Sequence, residues 1–536
     1  MIRVNNLHVP LDKADQLTEI LAQRLGLTPQ EILKLQVVRK ALDARRYKGA
    51  PLHWVYLLQV QVSTANARRL LRRWQHDRDI SEVEAENLPP IPFLGKIGKH
   101  RPVVVGFGPA GIFTALTLAR AGLCPLVLER GASVEQRHQD VMRFWQQGKL
   151  LPHSNVQFGE GGAGTFSDGK LTTRLHDAHI QGILADFVQA GAPAEIRILQ
   201  KPHIGTDRLR TVVKNLREEI KRLGGTVRFN SQVTDMESQD GRLRALIVND
   251  VERIEADAVF LGIGHSARDT YTLLARRGVY LEPKAFAIGV RIEHPQAFIN
   301  EAQYGADATS PYLDAADYTL THKATGRGVY SFCMCPGGKV IAAASELQTV
   351  VTNGMSDYRR DSGIANAALL VTVSPSDFLP MGRQNPLAGM YFQRELEHRA
   401  FLAGGGDYRA PVQAVGDFLA GTSGAQDFLF RPTYLPGTHP ADFTRILPNF
   451  VVKALQEGLI AFDHKIKGFA ADDIPLTGVE SRSSAPCRIV RDKVTYQSQS
   501  LAGLYPTGEG AGYAGGIMSA AVDGRKAALA YIQSFQ

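Results

Sequence analysis

An α/β fold with a parallel sheet, interrupted by a β-rich insertion and preceded by a small α+β unit, is what this 536-residue sequence predicts. Three observations carry the prediction. From Val103 a β-branched strand, three spaced glycines and a helical run follow one another. Strands and helices then alternate to about residue 280. After a middle stretch that loses this rhythm, the chain ends on strand, glycine-rich turn and helix again. A chain of this length exceeds one compact core. The expected units are residues 1–95, a small basic α+β domain; 96–283, the first part of an α/β domain; 284–475, an inserted β-rich α+β cap; and 476–536, the return to the α/β domain.

Composition is that of a folded globular chain, with 44% hydrophobic and 21% charged residues, which excludes disordered and fibrous classes. The start lacks the apolar core and small-residue cleavage site of a signal peptide, and a cytoplasmic location is expected. Cysteines 124, 333, 335 and 487 are too scattered for a disulfide framework or a four-ligand zinc site, so no metal is expected. The formal charge is +8, and residues 1–100 hold 16 Lys+Arg against 10 Asp+Glu, a difference of +6. Such a bias fits a solvated basic face better than a nucleic-acid surface, because no aromatic residues are interleaved with it in a recognition motif.

In the first unit, "MIRVNNLHV" alternates as a strand, "KADQLTEILAQRLG" has helical spacing with Gly26 as its stop, and "HWVYLLQVQV" is a second strand. Residues 39–48 carry the densest positive charge; "ARRLLRRWQHDRD" reads as helix, and the prolines and glycines of residues 87–100 read as a linker.

The second unit opens on Val103, Val104 and Val105, then Gly106, Gly108 and Gly111 in G-x-G-x-x-G order, with Pro109 and Ala110 filling the turn. The first glycine permits a tight turn, the second lets the backbone approach a pyrophosphate, and the third brings helix and strand close. Amides at the helix start and the positive end of its dipole receive phosphates. Gly122 stops the helix, and "CPLVLER" is a strand ending in Glu129 and Arg130, Glu129 lying 18 residues beyond Gly111. A carboxylate there accepts from both hydroxyls of an adenosine ribose and repels a 2′-phosphate. The apolar run is no membrane span, since Arg120 and the glycines interrupt it. The motif thus calls for a dinucleotide, with FAD and NAD open and NADP disfavoured. The helix "TDRLRTVVKNLREEIKRLGG" then leads into an expected strand "TVRFNSQVTDM", with strands "GRLRALIVND" and "ERIEADAVFLGIG" after it.

Three later stretches favour FAD by resemblance. "GLYPTGEGAGYAGGIMSAAVDGRKAA" resembles the carboxy-terminal flavin motif of the glutathione-reductase-like superfamily. The resemblance implies that Gly508 and Glu509 meet the ribityl side of FAD, and that the Gly516 and Ile517 amides, at a helix start, face the flavin. "GEGGAGTFSDGKLTT" is similar to the loop of related flavoproteins that runs beside the pyrophosphate and ribityl chain, which implies cofactor contacts for Gly161, Gly162, Ser167 and Lys170. "DAVFLGIGHSARDT", with Gly264, resembles the element that passes back over the cofactor, and Val233 falls where such proteins hold adenine. "GIGHSA" also matches G-x-G-x-x-A with Glu282 downstream, as a second NAD unit would. Only "VYLE" follows it before Pro283, and the flavin-contact reading is preferred. With "FAIGVRIEHPQ", "GVYSFCMCPGGKV" and "TNGMSDYRRDSGIANAALLV", the chain resembles the bacterial family of uncharacterised FAD-dependent dehydrogenases over roughly residues 30–535.

That resemblance implies an FAD-dependent oxidoreductase passing electrons between a small-molecule donor and acceptor; NAD(H) is a candidate diffusible donor. Flavin carries hydride, and the protein supplies position, protonation and electrostatics. Lys170 is a candidate to stabilise reduced flavin or bind an anion. Arg291 and His294 are candidates to clamp a carboxylate and move a proton, although Arg291 and Glu293 share a strand face and an ion pair between them is the plainer expectation. Cys333 and Cys335 share a face as well; buried packing is the expectation, and a redox dithiol the alternative. Asn353, Ser356, Arg359, Arg360 and Asn366 form a polar cluster that lines the site or caps turns. Two other functions are carried forward: a flavin-dependent RNA- or tRNA-modifying enzyme, from the basic first unit, and a non-catalytic flavin sensor or assembly factor.

Overall fold

The computed structural model describes residues 1–45, 51–83, 89–95, 99–324, 326–379, 385–422 and 427–536. Parts of two expected features, Arg46 to Lys48 of the basic run and residues 87, 88 and 96–98 of the linker, lie outside them.

The first unit is a four-stranded antiparallel sheet in the order Lys34–Asp43, His53–Gln61, Ile2–Pro10, Ile80–Glu82. Alternating apolar residues of Ile2–Pro10 face helix Leu17–Leu25 and share a core with Leu58, Val60 and Leu70. Asn6, at φ 49, shifts the register between Val4 and Leu7 so that Leu7 and Val9 stay inside. Gly26 closes the helix at φ 69, the left-handed conformation a C-terminal cap requires. The unit is tied to the rest of the molecule through its edge: the Lys40 amide donates to the Ile198 carbonyl at 2.6 Å and the Gln200 amide to the Lys40 carbonyl at 2.9 Å.

A five-stranded parallel sheet forms the next layer, in the order Leu504–Pro506, Val259–Leu261, Val103–Val105, Leu126–Leu128, Thr226–Arg228. Its strands are short and apolar because helices cover them. Helix Pro109–Arg120 follows the first strand and is buried along almost its whole length against helix Ile517–Gln533. At Gly524 a Cβ would stand 2.2 Å from the Ala110 carbonyl oxygen, and Thr114 donates to the Gly524 carbonyl at 3.0 Å. The segments that start at Val103 and at Leu504 are therefore one packed unit. No helix among the described residues is long and apolar enough to cross a membrane.

The expected single strand "TVRFNSQVTDM" is two. Thr226–Arg228 belongs to the parallel sheet, and Val233–Gln239 to an antiparallel three-stranded sheet with Arg242–Val248 and Glu252–Glu255. Between them Asn230 sits at φ 51, and the Asn230 and Ser231 amides donate to the carbonyls of Gly131 and Glu129, which draws the chain across the end of the neighbouring strand.

The middle of the chain is built on a seven-stranded sheet, in the order Thr321–Ala324, Arg327–Cys335, Ile364–Val373, Phe286–Pro295, Pro475–Glu480, Ala410–Ala414, Thr438–Pro440. Phe286–Pro295 lies centrally, buried at nearly every position. A hairpin of Gly338–Ala342 and Thr352–Ser356 packs beside it. Two helices, Ala388–Ala403 and Asn449–Lys465, were not among the strands and loops read from this stretch. The second lies so close to the sheet that a Cβ on Gly458 would be 2.6 Å from Val329 Cγ1.

Candidate functional site

One cleft, holding about 450 Å³ of water-accessible space, runs from the carboxyl ends of the parallel strands to the face of the seven-stranded sheet. That is where open α/β sheets bind ligands.

At one end the three glycines do separate work. A Cβ on Gly106 would strike the Gly262 carbonyl oxygen at 2.4 Å, and one on Gly111 the Gly106 carbonyl oxygen at 1.9 Å, so both are packing requirements of the fold. Gly108 faces the cleft, and its Cβ would meet only the Gly162 backbone, at 3.6 Å from Cα and 3.9 Å from N. Pro109 opens the helix, and the amides of Ala110 and Gly111 in its first turn lack intrahelical partners.

Glu129 ties three segments together. Its carboxylate accepts from the Phe107 amide at 2.7 Å, the Gly131 amide at 2.9 Å and the Gly159 amide at 3.0 Å. A carboxylate has about four acceptor sites, so one on Oε2 remains for a ligand hydroxyl. Arg130 lines the cleft beside it, held by Thr270, Asp269 and the ring of Phe158. Val233 completes this end.

The glycine loop that starts at Gly159 is held from behind by Arg137, a residue the sequence reading missed. Arg137 is fully buried and donates to the carbonyls of Asn155 at 2.8 Å, Val156 at 2.9 Å, Glu160 at 2.6 Å and Gly162 at 3.0 Å, with a longer bond to Gly159. Burial lowers the Arg137 guanidinium to about 10, so it is charged at neutral pH. The Gly161 amide donates to the Phe107 carbonyl at 2.8 Å, fastening this loop to the first. Gly161 itself points away from the cleft, at Thr165, while Gly162, Ser167 and Lys170 line it. Asp168 also lines it and pairs with Arg360 at 2.6 Å, which joins the loop to the middle sheet.

Further along, Gly264, Thr507, Glu509, Gly516 and Ile517 line the wall. Gly264 belongs to the same cleft as the first glycine loop, and the segment after helix Arg268–Arg276 forms only a short antiparallel strand, Leu281–Pro283, so no second parallel unit follows "GIGHSA". Gly508 lies behind the wall, where its Cβ would stand 2.6 Å from that of Ala110. Two features here call for a polar ligand. The Thr507 hydroxyl is buried with no partner among the described residues. Burial raises the Glu509 carboxyl to about 7, partly opposed by Lys284. Beyond them Gly515 and Gly516 open on free space at the start of helix Ile517–Gln533, which presents unpaired amides and a positive dipole end.

The wall contributed by the middle of the chain contains Tyr318, Cys333, Asn353 and Glu480. Lys170 reaches it by a short bond from Nζ to the Met334 carbonyl. Arg291 does not line the cleft. It stands one layer behind, fully buried, bidentate to Glu480 at 2.9 Å and donating to Asn366 at 2.8 Å, Asn353 at 3.2 Å and the Cys333 carbonyl at 3.2 Å. The expected pairing with Glu293 gives way to Glu480 because Glu293 accepts from Thr433 instead. His294 lies farther off: its Nε2 bonds the Phe469 carbonyl at 2.8 Å, Phe298 stacks on it, and burial lowers it to about 4, so it is neutral. Neither Arg291 nor His294 can touch a ligand in the cleft, which corrects the expectation of substrate contact for both.

The two cysteines do not share a strand face. The register slips between Phe332 and Cys335, Cys333 adopts φ 43, and only Cys333 lines the cleft while Cys335 is buried. Of the polar cluster, Asn353 reaches the cleft; Ser356 bonds the Pro336 carbonyl and Asn366 serves Arg291. Sequence spacing had no means of finding Arg482, buried at the rim and bonded to Glu397, Ser266 and Ser345, because its partners come from three distant segments.

Residues 285–483 match the family described as "FAD-dependent protein, C-terminal domain-like", and residues 1–50 match a "Domain of unknown function (DUF8436)". A protein of Clostridium beijerinckii, described as an uncharacterized protein, is 50% identical over 537 residues, spanning 100% of this chain and 99% of its own length. Among solved structures, a glycerol-3-phosphate dehydrogenase from Bacillus halodurans complexed with FAD aligns over 81% of this chain and 64% of its own at 13% identity, with a TM-score of 0.34. A geranylgeranyl bacteriochlorophyll reductase-like protein from Thermoplasma acidophilum aligns over 81% and 78% at 12% identity and a TM-score of 0.34. A glycine oxidase from Bacillus cereus aligns over 82% and 98% at 9% identity and a TM-score of 0.32.

Proposed function

The chain belongs to the same family as the Clostridium beijerinckii protein, and from that premise and the geometry of the cleft we propose that it is an FAD-dependent oxidoreductase moving electrons between a small-molecule donor and an acceptor. The observation that carries this reading is the continuity of the cleft. A dinucleotide loop at one end and an open helix start at the other are lined by one surface, closed by a wall from the middle sheet.

The chain's residues suit the parts of FAD in order. Glu129, with one acceptor site left, and Val233 suit the adenosine. The helix start at Pro109 and Ala110, with Gly108 and Gly162 kept free of side chains, suits the pyrophosphate. Thr507, whose buried hydroxyl has no partner among the described residues, and the raised carboxyl of Glu509 suit the ribityl hydroxyls. The amides of Gly516 and Ile517 suit the flavin's oxygen edge, where a helix dipole favours negative charge. When bound, FAD supplies a two-electron hydride acceptor and donor.

The remaining steps fall to side chains. Lys170, fixed to Met334, keeps a positive charge on the wall that a small anionic substrate or reduced cofactor would face. Glu509, raised to about 7, carries its proton in a large share of molecules at neutral pH and so donates as well as accepts. Arg291 positions Glu480 and Asn353 without touching substrate.

The test is direct. Purified protein is expected to show the flavin absorption bands, and these are expected to bleach on anaerobic mixing with NADH, NADPH or a metabolite pool. A colourless preparation that takes up no added FAD overturns the reading.

A further inference from the structure

We propose that Cys333 and Cys335 are a redox pair that forms and breaks an intramolecular disulfide in exchange with the flavin, Cys333 being the thiol that faces it; the proposal rests on the FAD reading above. Four observations bring it forward. Cys333 lines the cleft, while Cys335 is buried directly behind it. The pair has left strand geometry: a regular strand holds residues i and i+2 about 6.6 Å apart, near the limit a disulfide spans, but here the Cys335 thiol turns back to donate to the Cys333 carbonyl oxygen at 3.2 Å.

The pair also sits at the flavin end. In one short loop, Gly164 packs against Ile517, where a Cβ would lie 3.1 Å from Ile517 Cγ1, and Lys170 bonds the Met334 carbonyl between the two cysteines. Finally, two cations bracket the motif: Arg291 on the Cys333 carbonyl and Lys170 on that of Met334. The neighbouring Cys335 side chain and these charges hold the Cys333 thiol below its ordinary range, whereas Cys335 is pushed up by Cys333 and by burial. One reactive and one shielded thiol is the division of labour that thiol–disulfide exchange uses. The left-handed backbone at Cys333, uncommon for a side chain of this kind, is held in place at that position of the wall.

The step balances as follows. Closing the Sγ–Sγ bond takes one proton from each thiol and two electrons from the pair. The oxidised flavin accepts both electrons with one of the protons, and the other proton goes to solvent. In the reverse direction the reduced flavin returns the electrons, and the disulfide opens to two thiols.

The experiment uses the full chain with its flavin. Protein is equilibrated anaerobically in buffers of reduced and oxidised dithiothreitol, trapped with N-ethylmaleimide and mapped by peptide mass. The expected result is a Cys333–Cys335 disulfide in oxidising buffer and alkylation of both in reducing buffer, with Cys124 and Cys487 never joined. In a second arm, dithionite titration followed at the flavin bands is expected to consume one more electron pair per flavin in wild type than in Cys333→Ala or in Cys335→Ala. Flavin absorbance in each variant reports that it has folded. Alkylation of both thiols in every buffer, or equal electron uptake by wild type and variants, overturns the proposal. Loss of flavin from wild-type protein overturns the FAD reading instead, and the mass map still reads the thiols.

Discussion

Arg137 donates to the Glu160 carbonyl oxygen at 2.6 Å from a position with no exposure, and its other donors satisfy carbonyls along the same glycine loop. A loop so rich in glycine has large conformational freedom to lose on folding, and this one charged side chain fixes its course. Replacing it with methionine keeps the volume and leaves the buried Asn155 and Val156 carbonyls unpaired, at about 1–3 kcal/mol each before relaxation, while the Gly159, Glu160 and Gly162 carbonyls each lose one of two donors. Arg137→Met is therefore expected to lower stability by about 3 kcal/mol or more and to release flavin. Denaturant unfolding and flavin fluorescence check it. A wild-type midpoint with retained flavin would mean that the loop is held by other contacts.

Gly108 and Gly111 belong to one motif but are expected to fail differently. A side chain on Gly108 enters the cleft and meets little protein, whereas one on Gly111 meets a carbonyl oxygen at 1.9 Å. Gly108→Val is expected to fold with a wild-type circular dichroism spectrum and to bind FAD about a hundredfold more weakly, a loss of ~3 kcal/mol. Gly111→Val is expected to lose soluble folded protein. Equal flavin retention by Gly108→Val and wild type would show that the pyrophosphate lies elsewhere.

These two glycines also show what a sequence can and cannot tell. The spacing announces a nucleotide loop because each glycine answers a local backbone demand, and local demands are written in neighbouring residues. The segments from Val103 and from Leu504 could be read for the same reason. Arg137, Arg482 and the Arg360–Asp168 pair could not, since their partners lie across folded segments and their residue types suit a solvated surface equally well. Arg291 and His294 failed in the opposite sense. Arginine and histidine on one strand suggest chemistry, yet the strand is central in its sheet, with no solvent on either face. The split of "TVRFNSQVTDM" was hidden because the left-handed turn falls on an asparagine inside an otherwise continuous strand pattern.

Glu509 makes the apoprotein's stability depend on pH. Its folded value of about 7 exceeds the ordinary carboxyl value of 4.5, so between these the folded state holds a proton that the unfolded state has released. The stabilisation is complete below pH 4.5 and is lost as pH rises through 7. One pKa unit is worth about 1.4 kcal/mol, and discounting for the open cleft beside the carboxyl leaves roughly 1–2 kcal/mol. Glu509→Gln removes the titrating group. Relative to wild type, the variant is expected to gain that much between pH 5 and pH 8, as read from urea unfolding of flavin-free protein. A pH-independent difference between the two would place the Glu509 carboxyl in water.

Arg291 and His294 are expected to separate stability from catalysis. Arg291→Met strips the Glu480 carboxylate of its partner in a buried site, which costs about 3–5 kcal/mol, and it frees Asn353 and Glu480 on the cleft wall. The rate of flavin reduction is then expected to fall through misplacement of those two residues. His294→Gln keeps a donor for the Phe469 carbonyl and lies away from the cleft. Since the folded imidazole sits near 4 and an exposed one near 6.5, wild type loses stability as pH falls through that interval, and the glutamine variant is expected to lose less. Its flavin reduction rate is expected to match wild type at every pH. A pH–rate profile in which His294→Gln removes an inflection near neutrality would return this histidine to the reaction and overturn its assignment to the core.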